Sequence, residues 1–342
     1  MSEVSTIGLD LAKTVFQVHG AGEDGAALVR KKLRRDQMLP FFSAQPRCVA
    51  AMEACASAHY WGREIGKFGH EVKLIAPAYV KPFRKRQKND AADAEAICEA
   101  AQRPTMRFVP VKSEEKQASC VVFRSRDLLV GQRTQIINAL RGHLAEYGIV
   151  VRKGPAHVAK LMMHVADPKS AIPASVRPIF LMLEAALRAL EANIAALDKE
   201  IRARARSSGL SRRLMTVPGV GPLTAAAAEA IAPPAGQFRR GRDFAAWLGI
   251  PPLQHSTGGK QRLGRMSKMG DRTLRRLLIL GASSVVRQAV RKGAPVGSWI
   301  ARMLARKPRM IVIVALANKM ARTIWALMAH GGVYRAPAAI AA

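Results

Sequence analysis

The chain has 342 residues, which is enough for two or three domains with separate hydrophobic cores. Hydrophobic residues make up 49% of it, a share typical of folded proteins and not of disordered ones. Its 55 Lys and Arg against 24 Asp and Glu give a formal net charge of +31, which favours a polyanionic partner such as nucleic acid, with a merely solvated basic surface as the alternative.

The first hundred residues alternate predicted strands with predicted helices. Three strands come first, at 4–11, 14–20 and 27–33. They are followed by a strand at 48–53, a helix at 57–69, a strand at 70–76 and a helix at 90–102. Three antiparallel strands, followed by strands joined through helices, are the order of a ribonuclease-H-like domain. We therefore predict an α/β domain over residues 1–112.

Four carboxylates stand out in this region. Asp10 and Glu53 each end an apolar run typical of a buried strand, which is a poor place for a solvated charge. Asp90 and Asp93 are three residues apart, so they share one face of a helix. Buried carboxylates usually need a cation, and carboxylate oxygens suit Mg²⁺ or Mn²⁺. The four acids predict a divalent metal site, although Asp90 alone is also compatible with a helix N-cap.

The pattern becomes helical over residues 113–207. Apolar side chains recur near helical spacing at 113–148, and a second stripe runs through 174–207. Stripes of this length predict either an antiparallel helical pair within the chain or a coiled coil between subunits. We assign 113–207 as a helical, coiled-coil region that contributes to oligomerisation.

A mainly helical domain is predicted over 208–300, with a C-terminal helix and tail at 301–342. Gly219 and Gly221, in the turn Pro218-Gly219-Val220-Gly221-Pro222, precede a helix as in half of a helix-hairpin-helix, which holds DNA phosphates through backbone N–H groups. An ordinary turn is the alternative. Downstream, the loop His255-Ser256-Thr257-Gly258-Gly259-Lys260 combines a hydroxyl with two glycines and a cation. The predicted nucleic-acid contacts are Gly219, Gly221, Gly258, Gly259, Lys260, Arg262, Arg265, Lys268, Arg272, Arg275 and Arg276.

A membrane role is not favoured. The apolar stretch 310–330 is interrupted by Asn318, Lys319 and Arg322, and the N-terminus lacks the order of a signal peptide. The four cysteines form no CxxC pair or zinc spacing, as expected for reduced thiols in the cytoplasm.

Three segments resemble a known signature: Gly8-Leu9-Asp10-Leu11-Ala12-Lys13, Met52-Glu53-Ala54 and Asp90-Ala91-Ala92-Asp93-Ala94. They are similar to the DEDD motif of RuvC-like insertion-sequence transposases in the family often called IS one-ten. The family's second signature resembles residues 218–221, 244–249, 256–260, 268–271 and 274–275. The resemblance spans about residues 4 to 300, with Asn89 standing where the family often has Thr.

This resemblance implies a RuvC-like domain in which Asp10, Glu53, Asp90 and Asp93 bind Mg²⁺ or Mn²⁺. It also implies that Ser256 attacks DNA and forms a 5′-phosphoserine link, which conserves the phosphodiester energy for rejoining. Thr257 is the alternative hydroxyl, and the adjacent His255 is a candidate base. The resemblance further implies a structured guide RNA that pairs with donor and target DNA. It also implies a homodimer or tetramer that acts on nucleoid DNA in the cytoplasm.

Two other functions remain open at this point. A RuvC-like nuclease or junction resolvase would use the four carboxylates with water and would not need Ser256. A non-catalytic nucleic-acid-binding protein would use its basic surface alone, and its acids would be structural.

Overall fold

The computed structural model describes residues 3–85 and 89–336, and the boundary between its two units falls between Gln117 and Ala118. A mixed sheet forms the centre of the first unit. Its strands are β1 (Thr6–Asp10), β2 (Val15–Ala21), β3 (Ala27–Arg34), β4 (Val49–Glu53), β5 (Glu71–Ile75) and β6 (Phe108–Val109). They lie in the order β3-β2-β1-β4-β5-β6.

Strand directions divide the sheet into two parts. The first three strands pair antiparallel, whereas β1, β4 and β5 run parallel and β6 returns antiparallel. Parallel neighbours need crossover connections, and here these contain helices. The helices of this unit are α1 (Met38–Ser43), α2 (Ala58–Gly66), α3 (Pro77–Val80) and α4 (Asp90–Ala101). The predicted α/β arrangement is confirmed, while α1 and α3 were absent from the sequence prediction.

Side-chain alternation along the strands gives the sheet two apolar faces. Ile7 and Leu9 pack in one buried cluster with Phe42 and Trp61. On β4, Ala50 and Met52 join that cluster, whereas the intervening Ala51 packs on the other face with Ile97 of α4. Because strand side chains alternate with a period of two, Gly8 and Asp10 share the face that α4 covers.

The second unit is mainly helical, as predicted for the C-terminal part. Its helices are α5 (Glu114–Ala145, which begins in the first unit), α6 (Val158–Ala166), α7 (Arg177–Ser207), α8 (Gly209–Leu214), α9 (Pro222–Ile231), α10 (Gly241–Trp247), α11 (Arg272–Lys292), α12 (Trp299–Leu304) and α13 (Arg309–His330). A small sheet of two antiparallel strands, β7 (Pro252–Gln254) and β8 (Leu263–Met266), interrupts them. The helix α6 was absent from the sequence prediction.

Helices α5 and α7 pack against each other within this unit. Phe180, Leu187, Ile194 and Ile201 are buried at heptad spacing along α7. Leu140 and Leu144 of α5 share a core with Phe180 and Leu187, and Arg126 of α5 pairs with Asp198 of α7 at 2.5 Å. These contacts pair opposite ends of the two helices, which makes them antiparallel, one of the two predicted arrangements. The role of this region in oligomerisation, and the finer division at 112, 207 and 300, remain predictions.

The helix α13 is long and apolar enough to cross a membrane by length and composition. Within the second unit it contributes Val312, Leu316, Ala317, Met320 and Ile324 to the main hydrophobic core. It therefore has the burial of a core helix. The predicted C-terminal tail at 337–342 lies outside the described residues.

Candidate metal centre and serine hairpin

Gly8 lets the helix α4 lie unusually close to β1. A Cβ atom at Gly8 would stand 2.2 Å from the carbonyl oxygen of Ala94 and 2.7 Å from the Cβ of Cys98. No side chain fits in that space, so the backbone contact between strand and helix depends on glycine. This close approach brings the first turn of α4 to the end of β1, where Asp10 lies.

Asp10 and Glu53 end neighbouring parallel strands. The register pairs Leu9 of β1 with Met52 of β4, so the next residue on each strand is a carboxylate. Both acids fall on the face that α4 covers, since each lies two residues after Gly8 or Ala51 on that face. The carboxyl edge of the sheet therefore presents two acids side by side.

The first turn of α4 supplies the other two carboxylates. The Asn89 side chain accepts a hydrogen bond from the Ala91 N–H at 3.0 Å and caps the helix. Asp90 is thus the first residue of the helix, and its alternative prediction as the N-cap is wrong. Asp93 is buried, whereas Asp90 is exposed. The helix dipole stabilises negative charge in this turn.

Three of these acids form a tight ligand group. One carboxylate oxygen each from Asp10, Asp90 and Asp93 lie within 4.8 Å of one another. Glu53 is connected to the group through Arg84, whose Nη2 lies 3.0 Å from Glu53 Oε2 and whose Nε lies 2.9 Å from Asp93 Oδ1. We refer to Asp10, Glu53, Asp90 and Asp93 as the carboxylate cluster.

Among the described residues, one guanidinium, that of Arg84, forms ion pairs with acids of the carboxylate cluster. Burial, followed by the neighbouring charges of Asp93, Asp90 and Glu53, raises the pKa of Asp10 from its usual 3.8 to about 6, while Arg84 acts in the opposite direction. Repulsion among carboxylates of this kind is relieved by a bound cation. An all-oxygen donor set with several carboxylates fits Mg²⁺ or Mn²⁺.

In the second unit, Ser256 lies near the tip of an exposed hairpin. The sequence prediction of an irregular loop at this position was incomplete, because β7 and β8 extend on both sides of it. Thr257 and Lys260 exchange two backbone hydrogen bonds across Gly258 and Gly259, whose φ angles are +54° and +74°. Positive φ at both central residues is the geometry of a type I′ turn, which glycine adopts without strain. We call residues 252–266 the serine hairpin.

The Ser256 hydroxyl is held by its own hairpin. Its Oγ accepts a hydrogen bond from the Arg262 N–H at 3.1 Å, and the side chain is otherwise exposed. Beside it, the His255 N–H donates to the Arg262 carbonyl at 2.8 Å. The His255 ring lies near Gly264, where a Cβ atom would be 3.1 Å from its Nε2. The His255 ring therefore lies beside β8, to which Gly264 belongs.

The base of the serine hairpin is fastened to α11 by a buried arginine. Arg275 is 8% exposed, and its Nη1 donates to the carbonyl oxygens of Leu248 at 2.9 Å and Met269 at 3.1 Å. Carbonyl bonds from a buried guanidinium fix the backbone on both sides of the hairpin. This burial removes the Arg275 guanidinium from the surface, where a phosphate contact was predicted.

The other predicted cations divide into free and paired groups. Arg276 is half-buried and forms an ion pair with Asp127 of α5. Asp127 also accepts a hydrogen bond from Thr273 at 2.5 Å, so Arg276 is held within the unit. The cations with exposed side chains are Lys260, Arg262, Arg265, Lys268 and Arg272.

The glycine turn before α9 has a packing role. Gly219 has a φ of +86°, and a Cβ there would be 2.9 Å from the carbonyl oxygen of Gly281 in α11. Gly221 is exposed and has open space beside it. The turn therefore presents Gly221 to solvent while Gly219 lies against α11.

Sequence reasoning did not identify Arg84 or the packing role of Gly8. Arg84 falls in a run of cations, in which nothing in the pattern distinguishes a residue that contacts carboxylates from one that is solvated. Gly8 stands two residues before Asp10, and a glycine within a buried strand is a signal of close backbone approach.

Comparisons with known proteins match segments in both units of the chain. A DEDD transposase model of the IS110 type matches residues 7–149, and the model described as the transposase IS116/IS110/IS902 family matches residues 211–294. A probable family 20 transposase of Pseudomonas aeruginosa is 50% identical over 97% of this chain and 99% of its own. The transposase of insertion sequence element IS1328 from Yersinia enterocolitica is 37% identical, covering 98% of this chain and 99% of its own. The transposase of insertion sequence element IS1111A from Coxiella burnetii is 35% identical, over 98% and 92% respectively.

Proposed function

The chain belongs to the IS116/IS110/IS902 family of transposases, and from this membership we propose that it cleaves and rejoins DNA strands with Ser256 as the nucleophile. The family makes it an insertion-sequence transposase that acts on DNA with a divalent metal. A ribonuclease-H-like fold for the first unit follows from the same membership. The phosphoserine step, the guide RNA and the oligomer are our proposals.

The observation that carries the metal-dependent part of the proposal is the convergence of Asp10, Asp90 and Asp93 oxygens within 4.8 Å. Glu53 lies at the same edge of the sheet. When bound, a divalent metal would supply charge stabilisation to the attacking and leaving oxygens of a phosphodiester. The four carboxylates would hold it, and the Gly8 contact keeps their backbone in place.

Ser256 supports the covalent route by its exposure and position. In this route its Oγ attacks a backbone phosphorus, an Oγ–P bond forms, and the bond from phosphorus to the 3′ oxygen breaks. The hydroxyl proton finally resides on the released 3′ oxygen, so the products are a 5′-phosphoserine link and a free 3′-hydroxyl. Attack by another 3′-hydroxyl on the phosphoserine reverses these bond changes and regenerates Ser256, so rejoining needs no further energy source.

We extend the proposal to the partners. A net charge of +31 supports binding of donor and target DNA and of a structured guide RNA, since charge suits either nucleic acid. The α5–α7 region supports a homodimer or tetramer through the apolar side chains that α7 leaves exposed, among them Leu181 and Met182. The proposed site of action is nucleoid DNA in the cytoplasm.

A covalent-adduct assay tests the proposal. Purified protein, Mg²⁺, a plasmid carrying the element's junction, RNA from the element's non-coding end and target DNA are mixed and separated under denaturing conditions. We expect wild-type protein to form a protein–DNA adduct, and Ser256→Ala and Asp10→Ala each to reduce its yield by at least about 100-fold. Thr257→Ala is the matched control, since it removes the neighbouring hydroxyl and is expected to retain the adduct.

Each alternative gives a different result in the same assay. A water-using nuclease would release free cleaved ends, and Ser256→Ala would remain active while Asp10→Ala would not. A non-catalytic DNA-binding protein would give neither adduct nor cleavage. Adduct formation without the RNA would overturn the guide-RNA part of the proposal alone.

A further inference from the structure

Arg84 joins two members of the carboxylate cluster with one guanidinium group. It follows a short helical turn at Lys81–Phe83 and precedes α4. Its Nη2 contacts Glu53 at the end of β4, and its Nε contacts Asp93 in the first turn of α4, at 3.0 and 2.9 Å. One cation therefore links the sheet edge to the helix that completes the cluster.

Arg84 balances only part of the negative charge of the described carboxylates. Counted over these five side chains, four carboxylates and one guanidinium leave an excess of three formal negative charges. The next cation along the chain does not change this count, because Lys85 is paired with Glu95 at 2.7 Å. A divalent cation thus enters a cluster that still attracts positive charge.

Arg84 contacts two of the four carboxylates that would hold a metal. It contacts Oε2 of Glu53 and Oδ1 of Asp93, and a carboxylate oxygen shared with a guanidinium is a weaker metal ligand. Two cations on the same carboxylates also repel each other at short range. Because the Arg84 side chain is 37% exposed, against 10% for Asp93, the arginine has room to leave while the carboxylate stays.

We propose that Arg84 is a displaceable counter-ion: it holds Glu53 and Asp93 until a divalent metal binds, and then it contacts a phosphate of bound DNA. The inference rests on the proposed function, because it requires that metal and DNA both bind at this cluster. A freed guanidinium at the rim of the cluster carries a fork of donors that matches the oxygens of a phosphate. A structural ion pair between β4 and α4 is the competing role, and the two roles have opposite consequences for metal affinity.

Metal affinity is measured first, without DNA. Thermal unfolding is followed against MgCl₂ concentration for wild type, Arg84→Gln, Arg84→Lys and the control Lys85→Gln. We expect Arg84→Gln to unfold at a lower temperature without metal and to reach half-saturation at about tenfold lower Mg²⁺, since a competing cation is gone. Arg84→Lys should fall between the two, and Lys85→Gln should match the half-saturation of wild type.

DNA binding is measured second, by anisotropy of a fluorescein-labelled duplex over a range of salt concentrations. Ca²⁺ replaces Mg²⁺ to limit turnover, and EDTA gives the metal-free state. In Ca²⁺ we expect Arg84→Gln to lower the salt slope of log affinity by about one, as for the loss of one phosphate contact. In EDTA its slope should equal that of wild type, because Arg84 is then held by the carboxylates.

The outcomes separate this inference from the proposed function. Wild-type protein that shows no Mg²⁺-dependent shift overturns the metal centre and Arg84's role together. If Mg²⁺ stabilises wild type but Arg84→Gln needs the same or a higher Mg²⁺ concentration for half-saturation, the counter-ion role alone is overturned. A salt slope that Arg84→Gln lowers equally in Ca²⁺ and in EDTA overturns it as well. If Arg84→Gln does not fold, Arg84→Lys provides the same comparisons, because one ammonium group lacks the planar fork of donors with which the guanidinium contacts both carboxylates.

Discussion

In the first unit the oxygens of the carboxylate cluster come from the ends of two buried strands and the first turn of a closely packed helix. In the second unit Ser256 stands near the tip of a hairpin whose residues are almost all exposed. The geometry of the carboxylate cluster therefore depends on the packing of α4 against the sheet. The geometry of the serine hairpin depends on the contacts at its base and on its turn. Substitutions remote from the reactive atoms should consequently damage the first site more than the second.

The largest expected effect comes from Gly8→Ala. The added Cβ would overlap the Ala94 carbonyl, so α4 must move away from β1. We expect a loss of about 3 kcal/mol or more in unfolding free energy, as for severe overpacking, together with loss of stabilisation by Mg²⁺. Chemical denaturation with and without Mg²⁺ measures both quantities.

Gly131→Ala provides the control, because it lies in the exposed part of α5 with open space around it. It should raise stability by about 0.5–1 kcal/mol through helix propensity. Equal stabilities for Gly8→Ala and wild type would show that the close approach of α4 does not hold the cluster.

A smaller effect is expected at the base of the serine hairpin. Arg275→Gln removes a buried guanidinium that bonds carbonyls on both sides of the hairpin, and we expect a loss of about 2–3 kcal/mol. The adduct yield should fall further than DNA affinity does, because Ser256 loses its position while the exposed cations remain. Denaturation, anisotropy and the adduct assay measure the three quantities.

Arg272→Gln is the matched variant on the same helix. Its side chain is exposed, so stability should change by less than about 0.5 kcal/mol, while the salt slope of DNA binding falls by about one. If Arg275 contacts a phosphate instead, Arg275→Gln would lower the salt slope with little loss of stability. That result would contradict a structural role for Arg275.

The smallest effect concerns the ionisation of Asp10 in metal-free protein. Its folded pKa of about 6 lies above the usual 3.8, so the associated stability is present below about pH 4 and is lost as pH rises through 6. Asp10→Asn removes this pH-dependent loss of stability, because the amide does not ionise. At pH 8 without metal the variant should be more stable than wild type by about 1 kcal/mol, after allowance for solvent screening. Mg²⁺ should stabilise wild type more than the variant.

Thermal unfolding at pH 4 and pH 8, with Mg²⁺ and with EDTA, checks this prediction. The two proteins should be equally stable at pH 4, where Asp10 is protonated. If Asp10→Asn is still more stable than wild type at pH 4, the gain in stability comes from packing and not from charge.

Sequence patterns predicted β1, β2, β4 and β5 because these strands carry buried apolar residues, and they also predicted the mostly exposed β3, whereas the two-residue strand β6 was not predicted. Asp10, Asp90 and Asp93 were also predicted to meet, since strand ends and helix spacing decide where they lie. The serine hairpin was predicted only as a loop, because β7 and β8 are short, exposed and without apolar alternation. Arg275 was expected at the surface, and only the fold shows that carbonyl oxygens from a remote segment surround it.

Glu53 illustrates a further limit of sequence reasoning. Its place beside Asp10 follows from strand register, but its contact with Arg84 depends on a turn whose residues carry no distinctive pattern. Long-range ion pairs of this kind depend on tertiary packing, and no local periodicity in the sequence predicts them.

The identity of the residue that carries DNA decides most directly between Ser256 and water as the nucleophile. Adduct formed by wild-type protein with Mg²⁺, RNA and both DNAs is digested with nuclease and protease, and the modified peptide is sequenced by mass spectrometry. We predict a nucleotide 5′-phosphate on Ser256 of the serine hairpin, absent when Asp10 is replaced by Ala. A nucleotide on Thr257 or on another residue, or cleaved DNA with no modified peptide, would contradict it.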